Sequence, residues 1–279
     1  MKSPQFLLRQ ESFRPKKTLG QNFLIHVETA EKIVKWACVD SSNPVIEIGP
    51  GLGALTEALH ERGLRVIAIE RDPKLCQLIR ERWPSENWLH LIHADALQVN
   101  FEEILSQEKS KFQVISNFPY SISTPLLEKL LERIDLFSQM VLLLQEEVVD
   151  RITAAVGTKD YGRLTIWIQI LCKTERGPRI SKGSFHPVPQ VESRLLRLVP
   201  REKPLIPKPQ IEPFLHFVRM IFQHRRKTVR NVLKSWESDH WDINSSLKKS
   251  KIDPQRRPET ITIEELWLLF KTLESHSHP

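Results

Sequence analysis

The chain has 279 residues, 40% of them hydrophobic, enough for one sizeable core and a smaller second domain at ~100–200 residues per domain. A net charge of +7 at pH 7 suits a polyanionic partner but does not by itself identify one. Three scattered cysteines, Cys38, Cys76 and Cys172, form no Cys-x-x-Cys, so neither a disulfide framework nor a metal site is expected. Apolar runs such as residues 140–144 fall far short of the ~20 residues that span a bilayer.

Residues 1–17 form a basic arm in which Lys2, Arg9, Arg14, Lys16 and Lys17 outnumber Glu11. It has no secretory apolar segment and no small-residue cleavage site, and a short transit peptide is one reading of it. Residues 28–38 read as a helix, with Ala30, Ile33, Val34 and Ala37 at helical spacing. Residues 45–55 then read as a β-branched strand, a turn containing Gly49, Gly51 and Gly53, and the start of a helix. Such a turn lets a ligand approach backbone that a Cβ would block. The next strand, 65–69, ends at Glu70, placed to accept hydrogen bonds from both hydroxyls of a ribose.

With Ala54 in the last place, that turn also satisfies the dinucleotide pattern G-x-G-x-x-G/A, so a nicotinamide-dinucleotide enzyme is a live alternative here. Two features argue against it. Pro50 removes a backbone N–H that would help cradle a pyrophosphate. A further carboxylate, Asp95, follows another apolar strand at 88–92, where it can accept from an adenine amino group. A fourth strand, 112–115, leads into Asn117-Phe118-Pro119-Tyr120. The Asn117 amide oxygen and the Phe118 carbonyl can each accept a hydrogen from an exocyclic amine. Pro119 holds Phe118 extended, and Tyr120 can lie against a planar base. Glycine turn, Glu70, Asp95 and Asn117 thus fall at the carboxyl ends of four successive strands, where open α/β sheets bind ligands.

Alternating strands and helices run to Gln145 and imply a mostly parallel sheet with crossover helices. Apolar runs at 164–171 and 195–199 are the expected last two strands. Pro200, Pro204, Pro207 and Pro209, with Lys203 and Lys208, mark a linker at 201–209. The expected division is therefore an arm at 1–17, a ligand-binding α/β domain at 18–200, and a helical domain at 210–279. In the last, residues 211–234 wound at 100° per residue place Phe214, Val218, Ile221, Phe222, Val229 and Val232 on one side. Arg219, Arg226, Lys227, Arg230 and Lys234 share the adjacent side. Arg225 falls on the apolar side and is expected to pair with a carboxylate or with carbonyls at the domain junction. A last helix is expected at 263–273, with Thr262 as N-cap and Glu265 at its third position.

Five segments in this order resemble the ribosomal RNA adenine N6,N6-dimethyltransferases: residues 18–24, the 47–53 turn, 117–120, 161–164 and 185–193. The likeness runs from about Thr18 to Leu233 and departs at Phe118, where the family usually has leucine. It implies a class I Rossmann-like methyltransferase domain with a small C-terminal helical domain. It also implies S-adenosylmethionine as cofactor, touching Asn22, Leu24, Gly49, Glu70, Asp95 and Asn117. Asn117, Phe118, Pro119 and Tyr120 would grip the target adenine and Phe185 would form a second aromatic wall. Arg219, Arg226, Lys227 and Arg230 would meet RNA, and the basic arm becomes an RNA contact rather than a transit peptide.

The family's substrate is a loop near the 3′ end of small-subunit ribosomal RNA, where two adjacent adenosines each receive two methyl groups on a pre-ribosomal particle. A monomer in the cytoplasm, without membrane partners, is expected. Two rivals share the fold: antibiotic-resistance methyltransferases acting on large-subunit RNA, and non-catalytic nucleic-acid-binding factors. Residues 222–231 are similar to the small-subunit branch, and the intact Asn117–Tyr120 segment argues against lost chemistry.

Overall fold

The structure, a computed structural model, describes Pro4, Phe6, Leu8 and Pro15 and residues 20–84, 87–105, 110–235 and 242–274. Most of the basic arm, including Arg14, Lys16 and Lys17, lies outside these residues, as do Thr18 and Leu19 of the 18–24 segment. By its internal contacts the chain divides into two units: Met1–Val149 with Thr174–Pro200, and Asp150–Lys173 with Arg201–Pro279. The expected division at residue 200 thus needs an amendment, because residues 150–173 group with the C-terminal part.

The first unit is built on β2 (Val45–Ile48), β3 (Val66–Glu70), β4 (Leu89–His93), β5 (Phe112–Asn117) and β6 (Phe137–Gln145). All of these pair in parallel, in the order β4-β3-β2-β5-β6, and β9 (Ser193–Pro200) adds antiparallel to β6. A seventh strand, β7 (Cys172–Ile180), lies next to β9. β2 is buried along its whole length and β5 in all but its last residue, so both faces of each are covered, as in parallel sheets, and Glu47, Gln113 and Ser116 are buried among the apolar residues. The order reverses between β2 and β5, so their carboxyl ends open a crevice at the topological switch point.

Helix α1 (Val27–Ala37) buries Ala30, Ile33, Val34 and Ala37, the four residues its spacing predicts, and packs beside α2 (Ala54–His60). Ahead of it, the two-residue strand β1 (Phe23–Leu24) pairs antiparallel with β8 (Phe185–His186), in register Leu24 with Phe185.

One expected strand is a helix. Residues 164–171 belong to α7 (Arg163–Leu171), not to the sheet. A short apolar run buried on most sides carries no periodicity to separate the two states. The Thr165 hydroxyl accepts from Gly162 N–H at 3.1 Å and donates to Arg151 O at 2.5 Å, fixing a helix start.

The second unit holds α7 with α8 (Lys208–Phe222), α9 (Val229–Lys234), α10 (Ile243–Lys249) and α11 (Ile263–Glu274). The expected linker is shorter than 201–209, since α8 starts at Lys208 with Pro209 in its first turn, where a missing N–H costs nothing. Phe214, Phe217, Trp267 and Phe270 form an aromatic cluster with ring centroids 5.5–6.2 Å apart. At the start of α11, Thr262 N–H donates to Glu265 at 2.8 Å and Glu265 N–H to the Thr262 hydroxyl at 3.1 Å, the expected capping box. Arg256 grips the same carboxylate through both its oxygens, at 2.6 and 2.9 Å.

The single basic helix expected over 211–234 is also corrected. It is two helices, α8 and α9, separated by an exposed turn at 223–227. The Thr228 hydroxyl accepts from Asn231 N–H and so caps a new helix instead of continuing the old one. Arg219 therefore lies on α8, Arg226 and Lys227 in the turn, and Arg230 on α9, so no one helical face carries all four. Arg225 donates to the carbonyls of Lys159 and Tyr161 at 2.7 and 2.9 Å, within the same unit.

Candidate active site

The crevice in the first unit is lined by residues from the segment 20–24, the glycine turn and the ends of β3, β4 and β5. Asn22, Leu24, Gly49, Glu70, Asp95, Asn117, Phe118 and Pro119 all border it, so one cavity collects residues separated by almost a hundred positions.

Gly51 and Gly53 have φ of 58° and 78°, the left-handed region that favours glycine. A Cβ on Gly51 would come within 2.7 Å of the Phe23 ring, and one on Gly53 within 2.6 Å of Trp83. The turn is therefore confined to glycine by conformation and by space, and it presents bare backbone to the cavity.

Glu70, 6% exposed, closes β3. Its carboxylate accepts N–H bonds from Arg71 and Asp72, both 2.8 Å, and from Gly51 at 3.3 Å. Burial raises its pKa, and those three bonds oppose the rise. A carboxylate has about four acceptor sites, so capacity remains for a hydroxyl. Asp95 accepts from Leu97 N–H at 3.0 Å and pairs with Arg71 at 3.1 Å.

Asn117 carries the strongest signal. Its side-chain N–H donates to Asn22 O at 3.0 Å, which fixes which way the amide points. The other amide atom, Oδ1, is buried and finds no partner among the described residues. Such an acceptor costs free energy of about 1–3 kcal/mol and calls for a ligand donor. Phe118 borders the cavity while its ring is 1% exposed, so the change from the family's leucine falls in packing. Pro119 is extended, with φ −58° and ψ 122°. Half-buried Tyr120 shares a short hydrogen bond with Ser193, which pins its ring.

Phe185 does not stand where the sequence suggested. It is 1% exposed and belongs to the core cluster with Leu24, Ala30 and Ile33, so its ring serves the β1–β8 pairing and leaves no open face for a base. Phe23 pairs with His186 and Leu24 with Phe185, which anchors the chain just after Asn22.

Three neighbours were missed. Glu47, buried in β2 and bordering the cavity, accepts from the Thr56 hydroxyl at 2.7 Å, and burial pushes its pKa up to about 8. A carboxylate inside an otherwise apolar strand was the signal for it. Arg71 was hidden in a loop, and only the fold brings it to Asp95. Ser193 could be read as a motif residue but not as the partner of Tyr120, 73 positions away.

A parallel sheet with a glycine turn after β2, a ribose-type carboxylate after β3 and an amide acceptor after β5 defines a class I methyltransferase. The ribosomal RNA adenine dimethylase family model matches residues 12–275, and the chain belongs to that family. It is 37% identical to a ribosomal RNA small subunit methyltransferase A from Geobacter metallireducens over 95% of this chain and 98% of that one. Identity to the protein of the same name from Prosthecochloris aestuarii is 42%, over 92% and 94%. Among solved structures it resembles a dimethyladenosine transferase from Plasmodium falciparum, with TM-score 0.73 and 25% identity over 90% of this chain and 96% of that one. The dinucleotide alternative falls with this result. The residues fit S-adenosylmethionine: the unpartnered Asn117 oxygen, the bare glycine-turn backbone, and two carboxylates, Glu70 and Asp95, all border one cavity.

Proposed function

We propose that this chain dimethylates N6 of two adjacent adenosines in a loop near the 3′ end of small-subunit ribosomal RNA, as a cytoplasmic monomer acting on an assembly intermediate. The observation that carries the reading is the buried, unpartnered Oδ1 of Asn117, held in place by the bond from its own amide to Asn22. Among the described residues, no helix is long and apolar enough to cross a membrane. The small-subunit name borne by both bacterial relatives favours this branch over the large-subunit one.

The bound cofactor supplies an electrophilic methyl on a sulfonium. The chain's own groups do the rest. Glu70 would take a ribose hydroxyl, Asp95 the amino group of the cofactor's adenine, and the Asn22 segment and Gly49 its methionine end. Target N6 is a poor nucleophile because its lone pair is delocalised into the ring. Asn117 Oδ1 and the Phe118 carbonyl accept its two hydrogens and draw it toward a tetrahedral shape, while Tyr120 holds the ring in line for transfer. No strong base is required, because N6 becomes acidic as it gains the methyl and its proton passes to water.

A target base must leave its stack to enter, which costs a few kcal/mol in a duplex and less in a loop. The test is mass mapping of methylated adenosines in ribosomal RNA from cells with and without the protein. Dimethyladenosine missing from the small-subunit loop in the deleted strain is the expected result. Loss confined to large-subunit RNA, or no loss, would overturn the proposal.

A further inference from the structure

One residue of the cavity wall, Arg71, touches both carboxylates at the nucleoside end of the site. Its backbone N–H donates to Glu70 at 2.8 Å, and its guanidinium pairs with Asp95 at 3.1 Å. The strand ends that carry the two acids are tied together, since Glu70 pairs in register with His93 and Ala94 N–H donates to Glu70 O at 2.9 Å. Glu70, Arg71 and Asp95 all border the same cavity. The arginine therefore bridges the end of β3 to the segment after β4 at the surface a ligand would meet.

The Arg71 side chain is 60% exposed and that of Asp95 23%. Solvent screens so open a pair, so it adds little to folding stability and its effect lies in geometry. Leu97 N–H holds Asp95 Oδ1 at 3.0 Å while Arg71 Nη1 holds Oδ2, which fixes the plane of the carboxylate from both sides. A carboxylate has about four acceptor sites, so each oxygen can still accept another hydrogen. Held in one plane, it attracts a donor at a set place and repels an acceptor there. Free to turn, it does neither as well. Purines can bring either group to that place: the exocyclic amine of adenine donates, and the carbonyl of hypoxanthine accepts.

We propose that Arg71 is a specificity-determining residue, which by clamping Asp95 makes the cavity select an adenosyl over an inosyl ligand. The inference rests on the assignment of Asp95 to the cofactor's adenine made above.

The experiment is titration calorimetry on the full chain with two probes, S-adenosylhomocysteine and S-inosylhomocysteine, which carry an amine and a carbonyl at the same purine position. Wild type is expected to favour the adenosyl probe by about 10- to 100-fold, the scale of a hydrogen bond to a charged group. Arg71→Met keeps an unbranched stem without donor or charge. In it the adenosyl affinity should fall and the preference narrow by about 5-fold or more, as for residues coupled in one hydrogen-bond network. Arg71→Lys should recover part of the preference, because it restores the charge but not the planar fork. An unchanged preference in Arg71→Met would overturn the proposal. A wider one would overturn it as well, since the arginine would then have been donating to the carbonyl. Equal weakening of both probes would reduce Arg71 to a piece of cavity wall. Asp95→Asn tests the assignment beneath: an amide can offer its oxygen or its NH2, so the preference should collapse. If Asp95→Asn kept the full preference, the adenine role of Asp95 would fail and Arg71 with it. If only Arg71→Met kept it, Asp95 would retain its role and Arg71 would lose its own.

Discussion

The two regions that the sequence marks as functional are built in opposite ways. The cavity collects Gly49, Glu70, Asp95 and Asn117 from four strand ends, whereas Arg219, Arg226, Lys227 and Arg230 are spread over two helices and a turn. A parallel sheet converts order along the chain into order in space, because every strand end falls on the same edge. A helical wheel does so only for as long as the helix lasts. Here it lasts to Phe222.

The sharpest way to break the contrast is in the cavity. Asn117→Ala removes the acceptor for N6, and methyl transfer to small-subunit particles should fall by about 10²-fold or more in kcat, the scale seen when a preorganised polar group is lost. Particle binding measured by sedimentation should survive, since it depends on phosphate contacts. Near-normal turnover would remove Asn117 from the chemistry.

The second region yields a smaller, graded effect. Replacing Arg226, Lys227 and Arg230 with glutamate should flatten the slope of log affinity against log salt by roughly 2–3 units if all three reach phosphate. Because the cations lie on two helices and a turn, the effect is expected to be graded, where a continuous face would give all or none. Loss of one unit of slope would mean that the turn or α9 alone makes contact, and no change would mean a solvated surface. Cofactor affinity should hold throughout, because the residues bordering the cavity belong to the other unit.

The same contrast explains what the sequence could disclose. Strands β2, β3 and β5, helix α1 and the Thr262–Glu265 cap were legible because each rests on local chemistry: buried runs rich in β-branched residues, i to i+3 and i+4 spacing, and a hydroxyl three residues from a carboxylate. Residues 164–171 were not, since an apolar run of eight fits a helix or a buried strand equally and its partners lie beyond residue 200. Phe185 was misplaced for a related reason. An aromatic residue in a motif is equally suited to stack on a base or to fill a core, and only the pairing with Leu24 decides. Arg71 and Ser193 act through partners brought near by the fold alone.

Glu47 offers the finest test, because it lies in the legible region yet its role is set by burial, which spacing does not reveal. Its carboxyl sits beside Glu70 and Thr56, and desolvation pushes its pKa up to about 8 from 4.5. Between those values the folded chain keeps a proton that the unfolded chain releases, so stability contributed here is full below pH 4.5 and is lost as pH rises toward 8. Glu47→Gln keeps an oxygen for the Thr56 hydroxyl and cannot ionise. Scanning calorimetry should therefore give nearly equal Tm for the two proteins at the acid end, and a Tm advantage for the variant that widens by several degrees as pH approaches 8. Parallel Tm curves would mean that folding leaves the ionisation of Glu47 unshifted and that the cavity wall is wetter than its burial implies.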